Sequence, residues 1–170
     1  MAYYKTIENM ALFVNNQSQV NRFDLVYDGE SEIICFEGEI SIKTSDVFSI
    51  TGKAQFANYK LATEKEAWFK PTLHVVSNAR AQINKKFSLD AEIAFTGQTN
   101  AKGFNSVPLP EETIITVKSF ADFSAGAEYR FNNKIGLHVH ANNIFDNAYQ
   151  QYLYYPKLGL NVLGGFNFSF

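Results

Sequence analysis

The sequence contains no apolar run of about 20 residues, so no segment of it is a membrane-spanning helix. It has one cysteine, Cys35, which excludes an internal disulfide and a cysteine-based zinc site and leaves that residue as a small side chain on a strand. Charged residues make up 19% of the chain, where a soluble domain carries roughly 25%. The net charge of −2 gives no basic footprint, and nucleic acid is set aside as a partner. The opening MAYYKTIENM lacks the charged and then apolar stretch of a secretory signal. No Gly-x-Ser-x-Gly elbow, phosphate loop or metalloprotease histidine pair is present, so the chain reads as no enzyme and implies no cofactor.

What the sequence does have is aromatic residues and a period of two. Phe and Tyr number 16 and 9. Leu158, Leu160, Val162, Phe166, Phe168 and Phe170 alternate with Asn161, Asn167 and Ser169. The same alternation runs through Ile135 to Asn142, Ala121 to Phe131, Phe87 to Thr96, Thr72 to Ile83, Phe48 to Phe56 and Ile34 to Lys43. Two shorter segments, near residues 4 to 14 and 22 to 28, bring the expectation to about nine strands. KTSD, NKK and FNN are tight polar turns, whereas residues 62–68, 98–119 and 146–157 are long connections. The Gly and Pro residues of the 98–119 segment argue against a continuous strand. Short turns at one edge and long loops at the other is the plan of a bacterial outer-membrane barrel, although the turn near residues 15 to 21 is longer than that plan wants.

Alternation alone does not say which face is buried. A soluble sandwich, or a soluble barrel that binds an apolar ligand, turns its apolar face inward; a membrane barrel turns it to lipid. Three features favour lipid. The polar face is rich in Asn, Ser, Thr, Gln and Gly, the strands are long, and aromatic residues gather at their ends. The expected fold is an all-β, antiparallel up-and-down transmembrane β-barrel, with residues 1–170 as one barrel region in the outer membrane and the lipid bilayer as its first partner. Nine strands would place the two chain ends on opposite sides, and since bacterial barrels have even counts, the odd number points to part of a larger barrel. A complete small barrel of structural or pore-forming role is the alternative.

The stretch FSAGAEYRFNNKIGLHVHANNIFDNAYQQYLYYPKLGLNVLGGFNFSF resembles the end of TonB-dependent receptor barrels. The resemblance rests on Asn142 to Asp146, Tyr149 to Pro156, Gly159 and the aromatic strand Phe166 to Phe170, with MALFVN, FDLVYD and EKEAWFKP similar upstream. It implies passage or capture of a scarce nutrient such as a metal chelate or a glycan. It also implies that the barrel-assembly machinery reads Phe166, Phe168 and Phe170 as a signal. An energy-coupling complex is implied only for a chain carrying a plug domain, and neither a plug nor a coupling box is read here.

Candidate site residues follow from the strand faces. Arg80, Asp90, Glu92, Glu128, His138 and His140 belong to the polar, lumen-lining face. Hairpin registers across NKK and NNK predict Arg80 opposite Asp90, as a cross-strand ion pair, and Glu128 opposite His138. His138 and His140 share a face but lack a third ligand, so no metal site is assigned. Trp68, Tyr149, Tyr152, Tyr154 and Tyr155 are expected in a membrane girdle or an outer loop, with Trp68 and Pro71 marking a membrane boundary.

Overall fold

The computed structural model describes residues 1–19, 21–105 and 111–170. Pro108 and Pro110, part of the argument against a continuous strand over 98–119, lie outside them, as does Val20. The strands are β1 (Ala2–Asn15), β2 (Phe23–Lys43), β3 (Phe48–Lys60), β4 (Leu73–Gln82), β5 (Phe87–Thr96), β6 (Thr99–Asn105), β7 (Glu111–Val117), β8 (Phe120–Arg130), β9 (Ile135–Asn142), β10 (Gln150–Tyr152), β11 (Tyr155–Pro156) and β12 (Asn161–Phe168). Eight of them form one antiparallel sheet in the order β1-β2-β3-β4-β5-β8-β9-β12, while β6-β7 and β10-β11 are separate hairpins inserted in its loops.

The sheet therefore has eight strands where the alternation predicts about nine. The segments near 22 to 28 and 34 to 43 are one 21-residue strand whose facing reverses part-way. Leu25 and Tyr27 are exposed on the face where Ile34 and Phe36 later stand, a shift from odd to even positions. On the opposite face Asp28, Ser31 and Cys35 are all buried. The partner strand reverses at the same level, where Asn9 takes a positive φ of 55° and Gly29 lies opposite between the Glu8↔Glu30 and Met10↔Asp28 pairs. A left-handed residue inside a strand rotates the pleat, so sequence alternation breaks while the ladder continues.

With eight strands both ends of the sheet point to the same edge, and the odd-count argument no longer applies. The turns 44–47, 83–86 and 131–134 share that edge. The connections 16–22, 61–72, 97–119 and 143–160 all lie at the other, so the first turn, too long for a nine-stranded plan, falls among the long loops. Asparagine sets several of these turns by accepting backbone amides two and three residues on. Asn84 Oδ1 takes Lys86 N (2.8 Å) and Phe87 N (3.0 Å), and Asn132 Oδ1 takes Lys134 N (2.8 Å) and Ile135 N (2.9 Å).

The two faces of the sheet are treated differently. The apolar face is bare: Phe36 (54% exposed), Ile93 (45%), Leu137 (51%) and Phe166 (78%) have no layer over them among the described residues. The polar face is covered near the long-loop edge, where Met10, Leu12, Val14, Trp68, Phe69, Ala101 and Val117 form the hydrophobic core. β1 and β12 do not pair with each other, so the sheet is open.

Candidate functional site

The polar face carries the ionisable rows that the hairpin registers predict. Arg80 stands opposite Asp90, and Glu128 opposite His138. Standing opposite does not make the expected ion pair: no Arg80–Asp90 salt bridge forms among the described residues. Arg130 Nε instead donates to Glu128 Oε1 at 2.7 Å, and His140 Nδ1 lies 3.6 Å from Asp90 Oδ2. Gly126, which pairs with both Asp90 and His140, explains the second contact. A Cβ there would sit 2.6 Å from His140 Nδ1 and 2.7 Å from Asp90 Oδ1, so the missing methyl is the space in which the two side chains meet. His138 uses the same device over Gly165, whose Cβ would lie 2.6 Å from its Cε1. Glu92 is exposed on this face beside them. No three His, Cys, Asp or Glu side chains converge as a metal site among the described residues.

Gly126→Ala is expected to part the His140–Asp90 contact at a cost of about 1 kcal/mol or less, since both side chains are flexible and partly exposed. Imidazole NMR checks this: replacing Asp90 by Asn shifts the His140 ring resonances in the parent chain and leaves them unmoved in the variant.

Toward the long-loop edge the loops fold over the polar face as a canopy. Trp68 is 1% exposed, which leaves no ring surface for a membrane boundary; its place is the centre of the canopy core. The indole satisfies its polar end by donating Nε1–H to Glu64 Oε2 (2.7 Å). Lys102, on β6, lies 5.7 Å from the indole centroid and pairs with Glu64 and Glu112, each at 3.2 Å. Burial alone would lower the Lys102 pKa, but the hydrogen bonds it donates to Glu112 and Glu64 hold the ammonium above its ordinary value.

The tyrosines divide between several settings. Tyr152 and Tyr155 pack with Phe23 and Phe69, with Tyr155 stacked on Phe23 at 5.1 Å and Tyr152 edge-on to Phe69 at 5.2 Å. The Tyr155 hydroxyl donates to the carbonyl of Asn21, joining the last long loop to the first. Tyr149 is buried, stacked on Phe120 at 4.0 Å, and donates to Asp122. Tyr154 is 47% exposed at a positive φ of 69° in the β10-β11 turn. All four belong to the 143–160 loop.

Two clasps hold the canopy. Asp28 is fully buried and accepts five hydrogen bonds: from Ala62 N (2.8 Å), Thr63 N (2.7 Å), Thr63 Oγ1 (2.7 Å), Glu64 N (2.8 Å) and Ser31 Oγ (2.7 Å). Burial pushes this carboxyl up, but the amides of Ala62 and Glu64 and the hydroxyls of Ser31 and Thr63 outweigh it and hold it well below the usual carboxylate range. The second clasp lies in the Asn142 to Asp146 motif. Asn143 Nδ2 donates to the carbonyls of Asn147 and Leu158, both at 3.0 Å, and Asp146 Oδ1 accepts from Leu160 N at 2.8 Å. A Cβ on Gly159 would lie 2.3 Å from that oxygen, so the motif's glycine is what lets the aspartate close the loop.

Between canopy and sheet is a cavity of about 250 Å³. Gln55, Tyr59, His74 and Phe120 line it from the sheet side, and Phe69 and Gln150 from the loops above. It offers amide and imidazole groups beside aromatic rings, with one formal charge, Lys118, among its lining residues.

No protein-family model matches the sequence, and no curated protein matches it. Solved structures do. The pyoverdine outer membrane receptor FpvA from Pseudomonas aeruginosa PAO1, bound to pyoverdine, superposes with a TM-score of 0.77 at 12% identity, over 99% of this chain and 26% of that one. This chain has the fold of a TonB-dependent receptor barrel wall. The ferric-catecholate import receptor Fiu from E. coli K12 gives 0.75 at 16% identity, over 98% of this chain and 24% of its own. The copper transporter OprC gives 0.72 at 16% identity, over 99% and 27%. The chain thus spans about a quarter of the length of the receptors it matches.

Within the receptor-barrel fold the sequence-derived candidates separate by height. Arg80, Asp90, Glu92, Glu128, His138 and His140 lie on the polar face of the sheet, away from the canopy. Asp28, Glu64, Lys102, Asn143 and Gln150, none of them a site candidate from the sequence although all but Lys102 lie in segments of the family likeness, hold the canopy or line its cavity. Asp28 carries one visible signal, an acid followed by glycine where the alternation changes phase.

Proposed function

We propose that this chain is wall and loop canopy of an outer-membrane receptor that captures a scarce nutrient, such as a metal chelate or a glycan. The observation that carries the reading is the inverted cover of the sheet: the polar face lies beneath folded loops while the apolar face is bare. A soluble protein buries the reverse. Lipid is the solvent in which the bare face is stable, and the likeness to the FpvA, Fiu and OprC barrels supports the outer membrane as the site. The cavity of Gln55, Tyr59, His74, Phe69, Phe120 and Gln150 is the candidate place for the nutrient, and the histidines, Arg80 and carboxylates below it line the path.

Open edges set the remaining assignments. A bilayer contains nothing to hydrogen-bond an unpaired strand edge, so we assign β1 and β12 to pairing with further strands of a longer receptor wall. Phe166 and Phe168 face outward on β12, 78% and 59% exposed, Phe170 follows them fully exposed, and the three suit a signal read by the barrel-assembly machinery. The test is extraction. The protein is expected to leave membranes only in detergent and to migrate faster unheated than boiled on a denaturing gel, whereas a detergent-free soluble monomer would overturn the reading.

A further inference from the structure

The short-turn edge carries a charge arrangement that barrel architecture does not require. The register that pairs Phe87 with Tyr129 continues into a hydrogen bond from the Arg130 amide to the Lys86 carbonyl (2.7 Å), which sets Lys86 opposite Arg130. Like charges directly opposed across strands destabilise a sheet. Two more cations crowd the same place: Lys85 in the same turn and Lys134 in the adjacent turn, tied to the last strand by the bond from Ser169 N to its carbonyl (2.8 Å). All four line one open basin on the polar face with Glu128 and Asn167. Glu128 is the one carboxylate side chain in the basin among the described residues, and it is engaged by Arg130 at 2.7 Å. Lys85, Lys86 and Lys134 have no ion pair among the described residues. At the third short turn the sheet does otherwise, since Lys43 there is paired with Asp46 at 2.8 Å.

We propose that this basin binds a phosphate group. Three unneutralised ammonium groups around an arginine supply the charge, and Asn132 and Asn167, in the same lining, supply neutral donors. An anion there removes the repulsion between Lys86 and Arg130. Ile135 (41% exposed) and Phe168 (59%) are in the same lining at the edge of the bare face, so the phosphate can be that of a phospholipid headgroup whose chains lie on that face, or free in solution.

The test uses the whole chain folded in zwitterionic detergent and titrated calorimetrically with inorganic phosphate, with sodium chloride as the ionic control. Phosphate is expected to bind where chloride does not, and the double variant K86Q/K134Q to weaken binding about 30-fold, from the contribution of each lysine near an anionic surface. K43Q, whose lysine is already paired, is expected to bind as the parent does. Association with phosphatidylcholine vesicles, with and without phosphatidylglycerol, separates the sources. Enhancement by phosphatidylglycerol that K86Q/K134Q abolishes identifies the headgroup, and phosphate binding without that enhancement identifies a free phosphate. Phosphate no tighter than chloride, an unchanged double variant, or binding of an acidic peptide alone would overturn the assignment. These titrations do not depend on the nutrient and so fail or succeed apart from the receptor reading.

Discussion

Asp28→Ala is expected to release the 61–72 loop and cost about 3–5 kcal/mol, because the substitution strands buried donors that have no water to turn to. The carboxylate now satisfies three consecutive amides and two hydroxyls at 2.7–2.8 Å. Trp68 hangs on the same loop through Glu64, so the canopy core should loosen with it. Amide exchange at Ala62, Thr63 and Glu64 reads the effect directly, and protection equal to the parent's would sink the clasp. The linkage has a definite sign. Asp28's pKa in the folded chain lies below its unfolded value of about 4, so its stabilisation is whole above that pH and is lost as the pH falls toward the depressed value. Acid should therefore unlock the loop in the parent chain, while Asp28→Ala, already unlocked, should show no such step.

How much of this was readable beforehand divides along the sheet. The period-two pattern placed β3, β4, β5, β8 and β9 to within a few residues, since each lies between a covered or hydrated polar face and a bare apolar one. Tight turns fix the registers Arg80↔Asp90 and Glu128↔His138, because an asparagine at the second position of each turn accepts the amides that bring the chain back. Pairings of side chains were not readable: Asp90 meets His140 rather than Arg80 through a glycine two strands from Arg80. β2 reads as two strands in the sequence because a reversal of facing at Gly29 and Asn9 imitates a break. The canopy was the least legible part. Its core joins Leu12, Trp68, Ala101 and Val117 from four separate segments, and burial assembled from loops has no period to detect. The Asn142 to Asp146 motif was visible as a family likeness, but its work as a clasp with Gly159 depends on contacts 14 and 15 residues away.

Ile93→Arg against Glu92→Arg decides the question on which the functional reading rests, namely what the bare face touches. Ile93 lies mid-sheet between Ser77 and Phe123 on the apolar face; Glu92 lies between Asn78 and Ser124 on the polar one. Strand propensity and backbone pairing are nearly equal at two adjacent positions of one strand, so the difference between the variants isolates the solvent on each side. With lipid on the apolar face, arginine at position 93 should cost about 2–4 kcal/mol in vesicle-supported unfolding, the penalty of a cation near the bilayer midplane. At position 92 the guanidinium enters a hydrated, carboxylate-bearing lumen, and the change should stay within about 1 kcal/mol. Ionic strength sharpens the comparison: salt screens the charge at 92 and cannot reach the one at 93. Equal costs would mean that water bathes both faces, and a bare face in water would have to be the docking surface of another protein layer instead of a wall in the membrane.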